Sequence, residues 1–327
     1  MARLNILLLT LLTLFVPLLE ARTLCIFSLA GSHGEPYISM RDFARAAARW
    51  GVSLRLEAIS NERVVAEYLK AGQCDGALLT GIRARQFNSF TGSLDAIGGL
   101  PDYTSLHTLI ALLTREPLAA EQRQGPYEVA GVLPAGAAYM FLNDRGISGV
   151  EQMAGRRLAV LEHDPAQLMM AQRIGVQAVA ADLSNFASLF NNGHVDAIAA
   201  PAVAYMPLEL FRGVGARGLV LDLPVAQLTL QLVLRHERFP EDFAPQARRY
   251  FLELFEHAMR EIRQAESELL FFFPPPDTDQ DRYQHLLQES RIALTEAGHY
   301  HPTMMRLMKR VRCHHAPEQG ECSDERE

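Results

Sequence analysis

Apolar and polar positions alternate along the chain in two rhythms, and the same pairing of rhythms occurs twice. Residues 65–80, VAEYLKAGQCDGALLT, align with residues 186–201, FASLFNNGHVDAIAAP, when Gly72 is set on Gly193. In each copy apolar positions at helical spacing, Val65, Ala66, Tyr68 and Leu69 or Phe186, Ala187, Leu189 and Phe190, make a stripe that lies on a sheet. The glycine takes the left-handed position that ends the helix. An Asp follows, Asp75 or Asp196, and then an almost wholly apolar strand, as expected where a parallel sheet is covered on both faces. Two copies of one helix-strand unit predict two similar α/β lobes in place of one long domain.

From Thr23 the pattern gives a strand (TLCIFSL), a Gly-flanked loop, a helix over residues 37–50 and a second strand (SLRLEAI). A helix capped by Ser60 or Asn61 and a third strand, DGALLT, complete a βαβαβ unit whose strand ends should border a ligand crevice. Residues 81–131 are richer in loops; TLIALLT and EVAGVLP within them read as strands. Residues 137–190 return to strand, helix, strand, helix, strand, helix, and LVLDLPVAQLTLQLVLR reads as an apolar return. The last third is helical, with Phe251, Leu254, Phe255, Ala258 and Ile262 as a stripe, broken at FFFPPP before more helix from about Arg282. The chain thus enters the second lobe near residues 131–136 and leaves it near 223–229, and two antiparallel crossings there would form a hinge.

Residues 1–21 change the compartment. Arg3, the apolar run of residues 6–19 and the small Ala21 have the form of a secretory signal peptide cleaved after Ala21; the run is shorter than a spanning helix wants and contains Pro17. The four cysteines of an exported chain should then be paired. Cys25 lies in the first strand and Cys74 just before the third, so neighbouring strands of one sheet could bring them together, and Cys313 and Cys322 sit together at the C-terminus; these two bridges are expected. The alternative for CHHAPEQGEC, with His314 and His315, is a metal site.

The 327 residues, 49% hydrophobic and 21% charged, can bury one large core or two moderate ones. The net charge of −7, with Lys70 and Lys309 the only lysines, describes no nucleic-acid surface. There is no Gly-x-Ser-x-Gly elbow, phosphate loop or His-Glu-x-x-His, and GVGARG lacks the spacing of a dinucleotide loop. The reading is therefore a non-enzyme without a cofactor.

The segments ISGVEQMAGRRLAV and GVQAVAADLSNFASLFNNGHVDAIAAPAVAY resemble the type II periplasmic solute-binding proteins, above all those serving TRAP-type transporters. A closer likeness, over nearly all of the mature chain, is to a family of solute-binding proteins of Gram-negative bacteria. It is carried by AGQCDGALLTGIRARQFNSFTGSLDAIG, YEVAGVLPAGAAYMFLNDR, FNNGHVDAIAAPAVAYMPLEL and the terminal RC and EC cysteines. The resemblance implies an α/β, type II periplasmic-binding-protein-like fold: a signal peptide (1–21), a first lobe (22–133), a second lobe (134–224) and a return strand with C-terminal helices packing on the first lobe (225–327). It implies a monomer in the periplasm that closes on a small-molecule ligand and delivers it to an inner-membrane transporter or efflux component. The TRAP-type pattern has an Arg that clamps a substrate carboxylate where this chain has Ala159. An envelope adaptor that kept the fold and lost ligand delivery is the rival.

Ligand contacts are expected where each strand ends. They are Glu35, beside Ser32 and His33; Arg83, with Arg85, as a holder for an anion; Tyr139, beside Asn143; Glu162 and Asp164, flanking His163 and pointing to a cationic or metal-bearing ligand; and Tyr205, near Glu209. Asp164 followed by Pro165 also reads as a helix N-cap.

Overall fold

A computed structural model describes residues 21–147 and 149–327. Arg3, Pro17 and the apolar run of the expected signal peptide lie outside the described residues. The chain runs β1 (Arg22–Phe27), α1 (Glu35–Arg49), β2 (Leu54–Ile59), α2 (Glu62–Lys70), β3 (Gly76–Thr80), α3 (Gly81–Ala84), α4 (Ser89–Gly92), α5 (Tyr103–Leu113), β4 (Arg123–Gln124) and β5 (Tyr127–Leu142). It continues through α6 (Val150–Met153), β6 (Arg157–Leu161), α7 (Pro165–Arg173), β7 (Gln177–Ala181), α8 (Phe186–Asn191), β8 (Ala197–Pro201), α9 (Leu210–Val214) and β9 (Leu219–Arg235). The last part holds α10 (Phe243–Glu253), α11 (Phe255–Ser267), β10 (Phe272–Phe273), α12 (Asp277–Glu296) and α13 (Pro302–His315).

Among the described residues the strands join in one hydrogen-bonded sheet ordered β2-β1-β3-β9-β5-β8-β6-β7, with β4 beside β5 and β10 beside β9. The first three strands are mutually parallel, as are β8, β6 and β7, so each half is a wound α/β unit. The halves share β5 and β9, which pair antiparallel from Tyr127 opposite Arg235 to Leu142 opposite Leu219. What the sequence reads as separate segments, EVAGVLP and AAYMFL, is thus one strand of 16 residues, and its partner is one of 17. The ladder is interrupted at Val129/Gly131, Pro134/Gly136 and Ala138/Met140. Gly136 there has φ +99°, open to glycine at little cost, and such bulges let a strand bend where the two halves meet.

The repeat is real in three dimensions. Gly72 and Gly193 end α2 and α8 at φ +72° and +70°. Asn61 caps α2, its side chain accepting from Val64 N at 3.2 Å. TLIALLT, read as a strand, lies in helix α5, capped by Asp102, whose Oδ1 accepts from Ser105 N at 2.7 Å. Leu106, Leu109, Ile110 and Leu113 are spaced three, four and seven apart and all are buried, so the helical period was present inside a run short enough to pass for a strand.

Each half has a core on both faces of its sheet. In the first, α2, α5 and α13 cover one face around Leu69, Leu79 and Met308; α1 and α10 cover the other around Phe43 and Phe251. The C-terminal third spans both halves: α10 lies on the first, whereas α12 brings Tyr283 into the core of the second. The stripe from Phe251 to Ile262 is split between α10 and α11, and the helix after FFFPPP begins at Asp277. The end of the chain is tied down by Arg291 and Arg312, both ion-paired to Glu321 and Glu327 and donating to the carbonyls of Gly98 and Gly99 at 2.7 and 2.6 Å. Cys25–Cys74 and Cys313–Cys322 are bridged as expected, with Cα separations of 5.9 and 5.7 Å.

Candidate functional site

The parallel strands of the two halves point their C-terminal ends at each other, and a cavity of about 500 Å³ lies between them. Phe27 ending β1 and Ser28 after it, Thr80 at the end of β3, Leu161 and Ala181 ending β6 and β7, and Pro201 ending β8 all border it. The shared strands supply the floor through Ala135, Ala138, Ala226 and Thr229. Beyond the floor the space continues beneath the second half's sheet, between Met140, Leu158 and Leu221 on the strands and Met153, Tyr283 and Leu287 on the helices. The sheet is hydrogen-bonded throughout, and the crevice is nevertheless there, because continuity runs only through β5 and β9.

The wall is mostly apolar. Among the described residues that line it, the charged ones are Glu35, Asp95 and Asp164, all acidic. Glu35 opens α1, followed by Pro36. Asp164 caps α7, accepting from Ala166 N at 3.1 Å, and its Oδ1 also accepts from Arg85 Nη1 at 2.9 Å. Arg85 belongs to the first half, so this buried pair spans the cleft; its guanidinium also donates to Gly92 O at 3.0 Å and lies over the Tyr300 ring, 5.1 Å from its centre. Asp95 accepts from the Thr229 hydroxyl at 2.5 Å and from Thr229 N at 3.0 Å. Burial pushes its carboxyl up to about 7, against the pull of those two hydrogen bonds and of Arg85.

Two of the six expected ligand residues, Glu35 and Asp164, stand on the cavity wall. The other four do not. Arg83 is buried against Glu62, Nε to Oε2 at 3.3 Å, while Glu62 also accepts from Thr80 N at 2.8 Å, so the expected anion holder is already neutralised within its own half. Tyr139 alternates with Ala138 and Met140, which face the cleft; strand geometry therefore turns it to the opposite face, where its hydroxyl donates to Glu266 at 2.8 Å. Tyr103 reaches the same carboxylate at 2.5 Å. Tyr205 is buried in the second half's core, stacked on Phe141. Glu162 is at the rim, ion-paired with Arg63 of the first half, which also reaches Asp182 at 3.3 Å.

His163, between the two carboxylates, has both ring nitrogens buried without a hydrogen-bond partner. Burial, and then Arg83, Arg85 and Arg63, hold it down at about 3, so it is neutral at physiological pH. No group of three or more His, Cys, Asp or Glu able to hold a metal occurs among the described residues. Sequence reasoning passed over Asp95 and Thr229, and it gave the last third no part in the cavity. SLDAIGG carries no periodic signal, whereas a Thr amid LTLQLVL is a polar break in an apolar strand that marks Thr229.

Two α/β halves around an intervening crevice, joined by two long strands, define the two-lobed fold of periplasmic solute-binding proteins. The chain belongs to the "Solute-binding protein AdeT 1/2" family, whose model matches residues 32–327. It is 38% identical over 299 residues to the "Probable solute-binding protein AdeT1" of Acinetobacter baumannii, covering 91% of this chain and 98% of that one. A TRAP periplasmic solute-binding protein of Desulfovibrio salexigens, solved with orotic acid bound, superposes with a TM-score of 0.75 at 15% identity over 90% of this chain and 99% of that one. One from Haemophilus influenzae, solved with L-gulonate, gives 0.73 at 9% identity over 89% and 99%.

Proposed function

We propose that this protein is a periplasmic solute-binding protein that closes two lobes over a small organic ligand held in the interlobe cavity and delivers it to an inner-membrane transporter. The carrying observation is the cavity of about 500 Å³ at the facing ends of the parallel strands, a volume in the range that accepts drug-sized ligands. In this reading residues 22–133, with α10 and α13 packed on them, move against residues 134–224 and the part of the C-terminal third that packs on the second half, pivoting at the bulges of β5 and β9. The signal peptide is removed after Ala21 and the mature chain acts as a monomer. Among the described residues no helix is long and apolar enough to cross a membrane. Ligand contacts on both lobes favour the closed form, and the cross-cleft pairs Arg85–Asp164 and Arg63–Glu162 add to it.

The ligand-bearing neighbours above hold organic acids, but here Ala159 lines the cavity and every charged lining residue among those described is acidic. Glu35 and Asp164 are the proposed contacts, one from each lobe. The test is small-angle scattering and thermal shift on the mature chain against a library of organic acids, amines, sugars and neutral lipophiles. A binder raises the melting temperature and shrinks the radius of gyration. No shift with any compound, together with co-purification in a membrane complex, would move the assignment to an envelope adaptor.

A further inference from the structure

We infer that the cavity selects an apolar molecule carrying a positive charge, a lipophilic amine, and takes its ammonium group at Asp95 and Asp164. This rests on the reading of the crevice as a ligand site and names the ligand's class. The apolar part is fixed by the lining: Met140, Met153, Leu158 and Leu221 offer hydrocarbon and sulfur to a ligand body and nothing to a sugar's hydroxyls. The charge follows from counting the ionic groups on that wall. Asp164 has Arg85 as its cation. The two hydrogen bonds that Asp95 accepts come from Thr229, a neutral residue. Two carboxylates thus border one space while sharing one guanidinium, with Glu35 a third carboxylate on the same wall. An incoming cation completes that balance; an incoming carboxylate would be desolvated beside like charges with no basic group on the described wall to meet it.

The experiment uses three probes of one chain length, n-octylamine, n-octanol and n-octanoate, titrated calorimetrically into the mature protein near pH 8. The amine should bind at least about tenfold more tightly than the alcohol, and the carboxylate more weakly than either. Asp95→Asn should bring the amine to within about threefold of the alcohol while leaving the alcohol's affinity in place. As a check that needs no substitution, the native chain is also titrated near pH 5.5, where the amine stays charged and the alcohol does not titrate. The groups around Asp95 are Thr229, Arg85, Asp164 and Tyr300, and the Asp95 carboxyl, pushed up to about 7 chiefly by burial, takes up a proton in that interval. The amine's affinity should fall by roughly tenfold there and the alcohol's should not change. Equal or tighter binding of octanoate overturns the charge assignment while leaving a solute-binding cleft standing. Amine and alcohol bound equally, or none of the three bound, overturns it as well. Only the second case, joined to a library in which nothing shrinks the radius of gyration, counts against the cleft itself.

Discussion

Arg85 and Asp164 meet across the cleft, Nη1 to Oδ1 at 2.9 Å, with both side chains largely shielded from water. The arginine is fixed from its own lobe by Gly92 O and the Tyr300 ring, so in the closed form it stays where it is when its partner changes. Asp164→Asn keeps the cap on α7, because Asn caps as well as Asp, and removes the charge alone. A buried guanidinium left unpaired costs about 3 kcal/mol, a cost relieved by opening the lobes to water. That is roughly a hundredfold change in the open-to-closed ratio. The expected result is a larger radius of gyration in scattering, with the melting temperature nearly unchanged. An unchanged radius would mean that the pair does not hold the lobes together.

Asp95 and His163 pull stability in opposite directions with pH. Asp95 is raised from 3.8 to about 7, so the folded chain holds its proton more tightly and stability falls as pH rises between those values. His163 is lowered from 6.5 to about 3, so the unfolded chain takes the proton first and stability falls as pH drops through that interval. Asp95→Asn should therefore gain on the native protein toward pH 8, by at most about 4 kcal/mol less the hydrogen bond it forfeits, and show no pH-dependent gain by pH 4. His163→Gln should do the reverse, gaining only on the acid side. Scanning calorimetry across pH decides both; curves parallel to the native one would show that neither group is perturbed by folding.

The repeat was legible because a polar residue sits where only a special role keeps it. Asp75 Oδ2 accepts from Thr23 N at 2.8 Å, and Asp196 Oδ2 accepts from Arg157 N at 2.9 Å. Each thus ties the start of its strand to the start of the parallel neighbour, and each also meets an arginine, Arg238 or Arg157. Those contacts with Arg157 hold the Asp196 carboxyl down at about 2. Glycine at the helix end, Asp at the strand start and an apolar strand are local signals, so they could be read from the chain. The cavity wall could not. Whether Tyr139 or Ala138 faces the cleft depends on the phase of a 16-residue strand that bulges three times, and each bulge resets the alternation. Asp95 escaped because its meaning comes from Thr229, 134 residues away.

The Cys25–Cys74 bridge ties β1 to the turn before β3 in the fully buried heart of the first lobe, closing a sequence separation of 49. On the chain-entropy account such a loop is worth roughly 4 kcal/mol, against about 2.6 for the separation of 9 between Cys313 and Cys322. Cys25→Ala with Cys74→Ala should lower the melting midpoint in urea by more than Cys313→Ala with Cys322→Ala. The C-terminal pair is also backed by Arg291 and Arg312 gripping Glu321 and Glu327, so its loss leaves the tail docked. The reverse order would mean that the tail, and not the first lobe's sheet, limits unfolding.

Ala159 offers a direct test of what the cavity's charge decides. It sits mid-strand in β6, paired with Val179, and lines the space that Asp95 and Asp164 also border. Ala159→Arg brings in a guanidinium, and the cavity has room for it. The added cation should supply the balance that an ammonium ligand otherwise provides, so n-octylamine binding should fall by roughly tenfold. Whatever fraction of the guanidinium is not engaged by Asp95 is free to pair with a ligand carboxylate, and n-octanoate should gain by about the same factor. Because n-octanol carries no charge, its affinity reports the cost of the added volume alone and serves as the internal reference. Circular dichroism and the native disulfide count verify that the variant folds. A variant that loses all three probes alike has only been filled; one that exchanges amine for carboxylate shows that the ligand's charge is read at this wall.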